Sequence, residues 1–211
     1  MKKILIIVTL FLNSTIFFAQ GKLLSIGLGE YRLSYYSTSY PVFFKVNDIN
    51  KNNVSQGNVY IGIPAGKNAN AYIVIEDKNI QEFKNQLILL REKLNNNNYI
   101  TTRNHITTPI QISANIELDP LTLIWTDDKE NNFSAENLKS KTFFEVFYGG
   151  GSAIGIEINF IPQDKTSEKN YYFNNNNLQI YFSNIDEINK LLAALEMTKI
   201  AEINKILELY K

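Results

Sequence analysis

Apolar side chains recur at every second position in eight stretches of this chain, beside a ninth that is short and wholly apolar, and few folds tolerate that period. Successive strand residues point to opposite sides of a sheet, so a period of two marks a strand with one dry and one wet face. Leu24, Ile26 and Leu28 alternate with Ser25, Gly27 and Gly29; Val42, Phe44 and Val46 follow Pro41; Val59, Ile61 and Ile63 precede Pro64. The other stretches are 72–75, 110–118, 121–125, 143–148, 153–161 and 178–182. The sharpest pairing signal joins 143–148 to 154–160 through Gly149, Gly150, Gly151 and Ser152, because glycine accepts the positive φ of a tight hairpin.

Two segments carry a different period. Ile80, Phe83, Leu87, Leu90 and Leu94 repeat at three and four residues and share one helix face, while Glu82, Lys84, Arg91 and Glu92 supply much of the remainder. Asn79 with Glu82 reads as an N-terminal cap, and the asparagine run 95–98 ends the helix. Asn184 with Glu187 repeats that start, and Ile185, Ile188, Leu192 and Leu195 repeat that face. The pattern runs on through Ile200, Ile203, Leu207 and Tyr210 without Gly or Pro, as one long helix or two in succession. The expected class is α+β: a predominantly antiparallel sheet with two amphipathic helices, in one globular domain over 21–211.

One programme is read twice. An alternating strand ends in Ile63, Pro64 and Lys67, a second strand follows, and Asn79, Ile80 and Glu82 open a helix; Ile161, Pro162, Lys165, Asn184, Ile185 and Glu187 repeat the order around the polar turn 174–177. Duplication and chance similarity both produce matches this short, and under duplication the halves 21–98 and 99–211 are each ββββα. Within these halves, 72–90 takes a strand through a short acidic turn into a helix bearing Phe83 and Leu87, and 143–160 turns an aromatic strand through glycines into an Ile-rich one. This pattern resembles the single-stranded nucleic-acid-binding fold of the Whirly and PUR proteins. The resemblance implies two pseudo-symmetric ββββα halves and a basic, aromatic sheet face for nucleic acid; the charge balance of this chain departs from that face.

Lys2 and Lys3 precede an apolar run over 4–18 that ends at Ala19 and Gln20, the order of a secretory signal peptide removed near residue 20. Phe17, two positions before Ala19, is bulkier than such a cleavage site usually carries. The run is short for a bilayer span of about 20 residues, and no later segment matches it, so the mature chain is expected to be exported, periplasmic or secreted, with no transmembrane segment. There is no cysteine, hence no disulfide, thiolate nucleophile or lipoprotein-type anchor. Without Lys2 and Lys3, the 21 basic residues become 19 against 21 acidic ones, a formal charge of −2. Phosphate backbones are recruited by basic excess, so nucleic acid is not the expected partner.

Catalytic equipment is sparse. His105 is the only histidine, and nothing in its spacing to Asp119 or Asp127 marks a triad; one histidine also falls short of a zinc site. Asp127, Asp128, Glu130, Asn131 and Asn132 offer oxygen ligands but lack EF-hand spacing and fit a polar hairpin loop. Neither metal nor cofactor is expected, and the three glycines lack the Lys-Ser/Thr of a phosphate loop. Glu117, Glu145 and Glu157 lie on strands, and Glu145 and Glu157 should face away from the core of their hairpin. Tyr31, Tyr35, Tyr36 and Tyr40 crowd one polar segment, and Phe143, Phe147, Tyr171, Tyr172, Phe173 and Tyr181 the second half. Tyrosine offers apolar area with a polar tip, suited to sugar or protein contacts. The expected function is a non-catalytic exported binding module for a protein or glycan, with Tyr31, Tyr35, Tyr36, Tyr40, Glu145 and Glu157 as ligand-binding candidates. Single-strand nucleic-acid binding and a carboxylate-based hydrolase are the other readings.

Overall fold

The computed structural model describes residues 17–18, 24–46, 57–64, 70–95, 110–118, 120–126, 132–147, 152–159, 177–196, 200–202 and 205. Outside them lie 1–16 and 19–20 of the expected leader, 21–23, Lys67, His105, Asp119, 127–131, 149–151, Pro162, Lys165 and 171–173. The strands are β1 (Phe17–Phe18), β2 (Leu24–Leu33), β3 (Thr38–Val46), β4 (Gly57–Ile63) and β5 (Asn70–Glu76), then helix α1 (Ile80–Asn95). There follow β6 (Ile110–Ser113), β7 (Leu121–Thr126), β8 (Asn132–Val146), β9 (Ser152–Asn159) and β10 (Asn177–Phe182), then helix α2 (Ile185–Ala194). One sheet joins them in the order β1-β2-β3-β4-β5-β7-β8-β9-β10, with β6 on β8, and every pairing is antiparallel. The protein is α+β, as the two hydrophobic periods require.

Residues 110–118 form a strand only as far as Ser113. β6 and β7 lie end to end along β8, which pairs Val146 with Ile110 and Asn132 with Thr126. Between them two hydroxyls replace the ladder: Thr142 Oγ1 accepts from Ile116 N at 3.1 Å and donates to Ile116 O at 2.6 Å, and Ser140 Oγ accepts from Leu118 N at 2.8 Å. Both side chains are buried, and these bonds offset their desolvation. Asn115 takes φ 52° in this bulge, a left-handed conformation asparagine tolerates better than most residues.

Alternation sorts the sheet into two faces. Leu28, Phe44, Ile61, Ile73, Leu123, Ile156 and Ile180 point inward and share one core with Phe83, Leu87 and Leu90 of α1 and with Ile188 and Leu191 of α2. Both helices therefore cover the same side. Burying each such side chain contributes about 1.5–3 kcal/mol, and the opposite, outer face is left for other uses. No helix among the described residues is long and apolar enough to cross a membrane.

Several local expectations change. The polar tyrosine segment forms a hairpin: β2 and β3 pair from Ser25 and Lys45 up to Leu33 and Thr38, closed by a 3-10 turn at Ser34–Tyr36 and Ser37 at φ 53°. Pro41 lies inside β3, one residue beyond the stretch Val42–Val46 that pairs with β4. A single 3-10 turn, Asp77–Asn79, runs directly into α1. Asn184 caps α2 as expected, its Oδ1 accepting from Glu187 N at 3.1 Å. That helix stops at Ala194, where Leu195 N donates to Leu191 O and Leu192 O, and 200–202 are helical again.

Candidate functional site

On the outer face of β8–β10, cross-strand register sets Phe143 opposite Gly155 and Gly155 opposite Tyr181. A Cβ on Gly155 would lie 2.4 Å from Phe143 Cζ, so only glycine lets that ring lie across β9 and meet Tyr181 edge-on at 5.9 Å. The neighbouring rows set Glu145 opposite Ala153, and Glu157 between Lys141 and Gln179. Phe143, Ala153 and Tyr181 form a second, small hydrophobic cluster apart from the main core, with Tyr36 and Phe147 packed on it.

A polar chain crosses the same face. Gln111 Nε2 donates to Glu145 Oε2 at 3.2 Å, and Gln179 Nε2 donates to Glu157 Oε2 at 2.9 Å. Tyr181 joins the two ends, its hydroxyl 2.8 Å from Glu145 Oε2 and 2.9 Å from Gln179 Oε1; with one proton it serves one acceptor at a time. Burial, followed by the hydrogen bond to Glu145 and the charges around it, pushes the Tyr181 phenol up. Both carboxylates are held by neutral donors. An ion pair, Lys78 to Glu76, lies elsewhere.

The distal hairpin roofs this face. Tyr35 sits 4.6 Å from Tyr181, stacks on Phe147 at 5.7 Å and meets Tyr36 edge-on at 4.9 Å, yet remains 50 % exposed. Tyr36 donates its hydroxyl to Gln179 O at 2.7 Å, and burial with the neighbouring tyrosines pushes that phenol up too. Glu187, only 4 % exposed, fixes the turn: Oε1 accepts from Ser34 N at 2.9 Å and Asn184 Nδ2 at 3.1 Å, and Oε2 from Ser183 N at 2.8 Å. A buried carboxylate is tolerable when several donors hold it, and this one holds a backbone amide 153 residues before it.

Beside the rings runs a trough of about 330 Å³ lined by Gln111, Ser113, Glu117, Lys141, Phe143 and Glu157. A second depression, about 230 Å³, lies where α1 begins and carries Glu76, Glu82 and Glu136. No group of three metal-ligating side chains occurs among the described residues. Another aromatic patch occupies the outer face of β3–β5, where Phe43 stacks on Tyr60 at 5.1 Å and meets Tyr72 at 5.4 Å.

Four of the six sequence candidates converge: Tyr35, Tyr36, Glu145 and Glu157. Tyr31 does not join them. It is 1 % exposed, donates its hydroxyl to Gly62 O at 2.7 Å and stacks near Phe182 at 6.3 Å, which makes it a core residue. Tyr40, half-buried, packs between Tyr31 at 5.9 Å and Tyr36 at 6.5 Å. Gln179, Tyr181, Gln111 and Glu187 were missed as site residues. The alternations Phe143, Glu145, Phe147 and Gln179, Tyr181 already placed each set on one face; Glu187 carried only a helix-cap signal. The chain matches no protein-family model, no curated protein and no solved structure.

Proposed function

We propose that this chain is an exported, non-catalytic binding module, one globular domain over 21–211, that meets a protein or glycan partner through the outer face of β8–β10. The observation carrying this reading is the half-exposed Tyr35, set on Phe147 and Tyr181 beside two carboxylates and two primary amides. A rigid ring beside paired donors and acceptors recognises a surface. Glu145 and Glu157 are spanned by neutral side chains, an arrangement suited to fixed hydrogen bonding rather than proton transfer. Export rests on the leader at 1–20, whose removal would take β1 and leave every pairing from β2 to β10. The test is tyrosine-ring NMR of the mature protein, titrated with cell-surface glycans and cell-surface proteins. Shifts at Tyr35, Tyr36 and Tyr181 without product are expected. Turnover abolished by Glu145→Gln, or silence at those rings with both panels, would sink it.

A second reading is supported by one observation. Phe43, Tyr60 and Tyr72 form a platform on β3–β5 with Lys45 Nζ 5.5 Å from the Tyr60 ring centre, the pairing of base stacking and positive charge that single strands use. The order β2–β5 and α1, then β6/β7, β8–β10 and α2, is the one that duplication and a Whirly/PUR-like ancestry would give. Low-salt anisotropy with a fluorescent oligothymidylate is expected to show binding lost in Tyr60→Ala; no binding at low salt removes this reading.

A further inference from the structure

We propose that the ligand of the outer face of β8–β10 is a non-acidic glycan, one sugar lying against Tyr35 and its hydroxyls engaging Glu145, Glu157, Gln111 and Gln179. The inference rests on the binding face proposed above and adds the chemistry of its ligand. The exposed apolar area is small: Phe143 and Tyr181 are each 7 % exposed and Tyr36 and Phe147 are half-buried, so Tyr35 is the most open ring of the group. A stable protein interface wants about 800 Å² per partner around a dry apolar centre, whereas here the central ring, Tyr181, is bordered by an amide and a carboxylate. The C–H face of a sugar covers one tyrosine ring, and its edge offers hydroxyls that both donate and accept.

The polar row matches that edge. A carboxylate has about four acceptor positions; Glu145 uses two, for Gln111 and Tyr181, and Glu157 uses one, for Gln179. Both retain lone pairs for hydroxyl donors, and the amides of Gln111 and Gln179 supply donors and acceptors between them. The trough of about 330 Å³ continues from Glu157 to Gln111 and lies at the small end of ligand pockets, room for a short stretch of sugar rings. Charge sets the class. Glu117, Glu145 and Glu157 border the rings and trough, and Lys141 is the one cation among the described residues that line the trough, so a uronate or sulfated sugar would face like charges.

Calorimetry on the mature protein, with neutral gluco- and N-acetylhexosamine tetramers and a galacturonate tetramer, tests this. At least one neutral tetramer is expected to bind and the uronate to bind at least tenfold more weakly. Tyr35→Ala, at an exposed position that leaves the core intact, should weaken neutral binding by about tenfold, the scale of one ring contact. Glu157→Gln should narrow the gap between neutral and acidic tetramers. A uronate bound more tightly than any neutral tetramer, or ring shifts at Tyr35 with proteins alone, overturns the glycan class while the binding face stands. Neutral binding indifferent to Tyr35→Ala places the glycan elsewhere and overturns the inference. No ring response to any probe defeats the face itself.

Discussion

On β3–β5 the outer face carries Phe43, Tyr60 and Tyr72 in mutual contact; on β8–β10 it carries Phe143 and Tyr181, with Phe147 against Tyr181. Each face also sets a glycine beside a tyrosine across the ladder, Gly62 by Tyr72 and Gly155 by Tyr181. What differs is the surroundings. The first patch has Lys45 beside it, whereas the second is threaded by Gln111, Glu145, Gln179 and Glu157 and roofed by Tyr35 from a distant hairpin. Alternation alone can furnish a sheet with rings. Assembling the candidate site took a turn brought over the rings by a contact between residues 34 and 187.

The comparison breaks most severely at Glu187. Glu187→Ala leaves the Ser34 and Ser183 amides without their acceptor, and with hydrogen bonds to a buried charge worth about 1.5–3 kcal/mol each the variant should lose about 3 kcal/mol. Urea unfolding measures the loss, and hydrogen exchange should rise at 34–36 before it rises on β3–β5. A variant with native stability and protection would remove the staple from the account.

The paired glycines sharpen the comparison next. A Cβ on Gly62 would meet Pro41 Cδ at 2.8 Å and Pro41 O at 3.0 Å, where ring and backbone cannot swing away. A Cβ on Gly155 would meet only the tip of Phe143, which can rotate into solvent. Gly62→Ala should therefore cost about 2–3 kcal/mol and Gly155→Ala about 1 kcal/mol, from the range seen for overpacking. The ranking reverses, however, for Tyr181: only Gly155→Ala should displace Phe143 and shift the Tyr181 ring signals. Equal melting temperatures for the two variants would contradict this.

A smaller effect separates the tyrosines by pH. Burial pushes the phenols of Tyr31 and Tyr181 up, whereas in the unfolded chain they titrate near pH 10. The folded state therefore keeps protons that the unfolded state gives up, so this contribution is complete below about pH 10 and is lost as pH rises beyond it. Tyr31→Phe should cost about 1 kcal/mol at neutral pH through the lost bond to Gly62 O, yet flatten the alkaline decline. Tyr60 and Tyr72, half-buried on the first face, are raised in the same direction, and Tyr60→Phe should flatten it less. Urea midpoints at neutral pH and at about pH 11, above the ordinary tyrosine value, decide it. The smallest change is Lys45→Ala, about 0.5 kcal/mol for one half-buried cation–π contact, read as a slight fall in melting temperature.

Much of the scaffold is visible in the chain itself. Ile80, Phe83, Leu87, Leu90 and Leu94 form the buried face of α1, Asn184 caps α2, and Phe143 to Val146 pairs with Ala153 and its neighbours across one hairpin. Local rules failed where a partner distant in sequence intervened. Ile116 and Leu118 look like strand residues, but hydroxyls at 140 and 142 take their backbone bonds. Tyr31 and Tyr35 look equivalent in a polar tyrosine segment, yet strand parity sends Tyr31 into the core and the turn leaves Tyr35 outside.

Sequence by itself determined the periods, and with them which residues of each strand and helix could share a face, because side-chain direction follows backbone geometry within a few residues. It also determined that Glu145 and Glu157 stand on the wet side of their hairpin. Only the tertiary structure decided that Tyr35 and Tyr36 rest on Tyr181 and Gln179, since that neighbourhood depends on how one sheet curls around two helices and on a single carboxylate bridging distant turns. No local pattern encodes a contact across 153 residues; it arises when the shared core brings both ends of the sheet together.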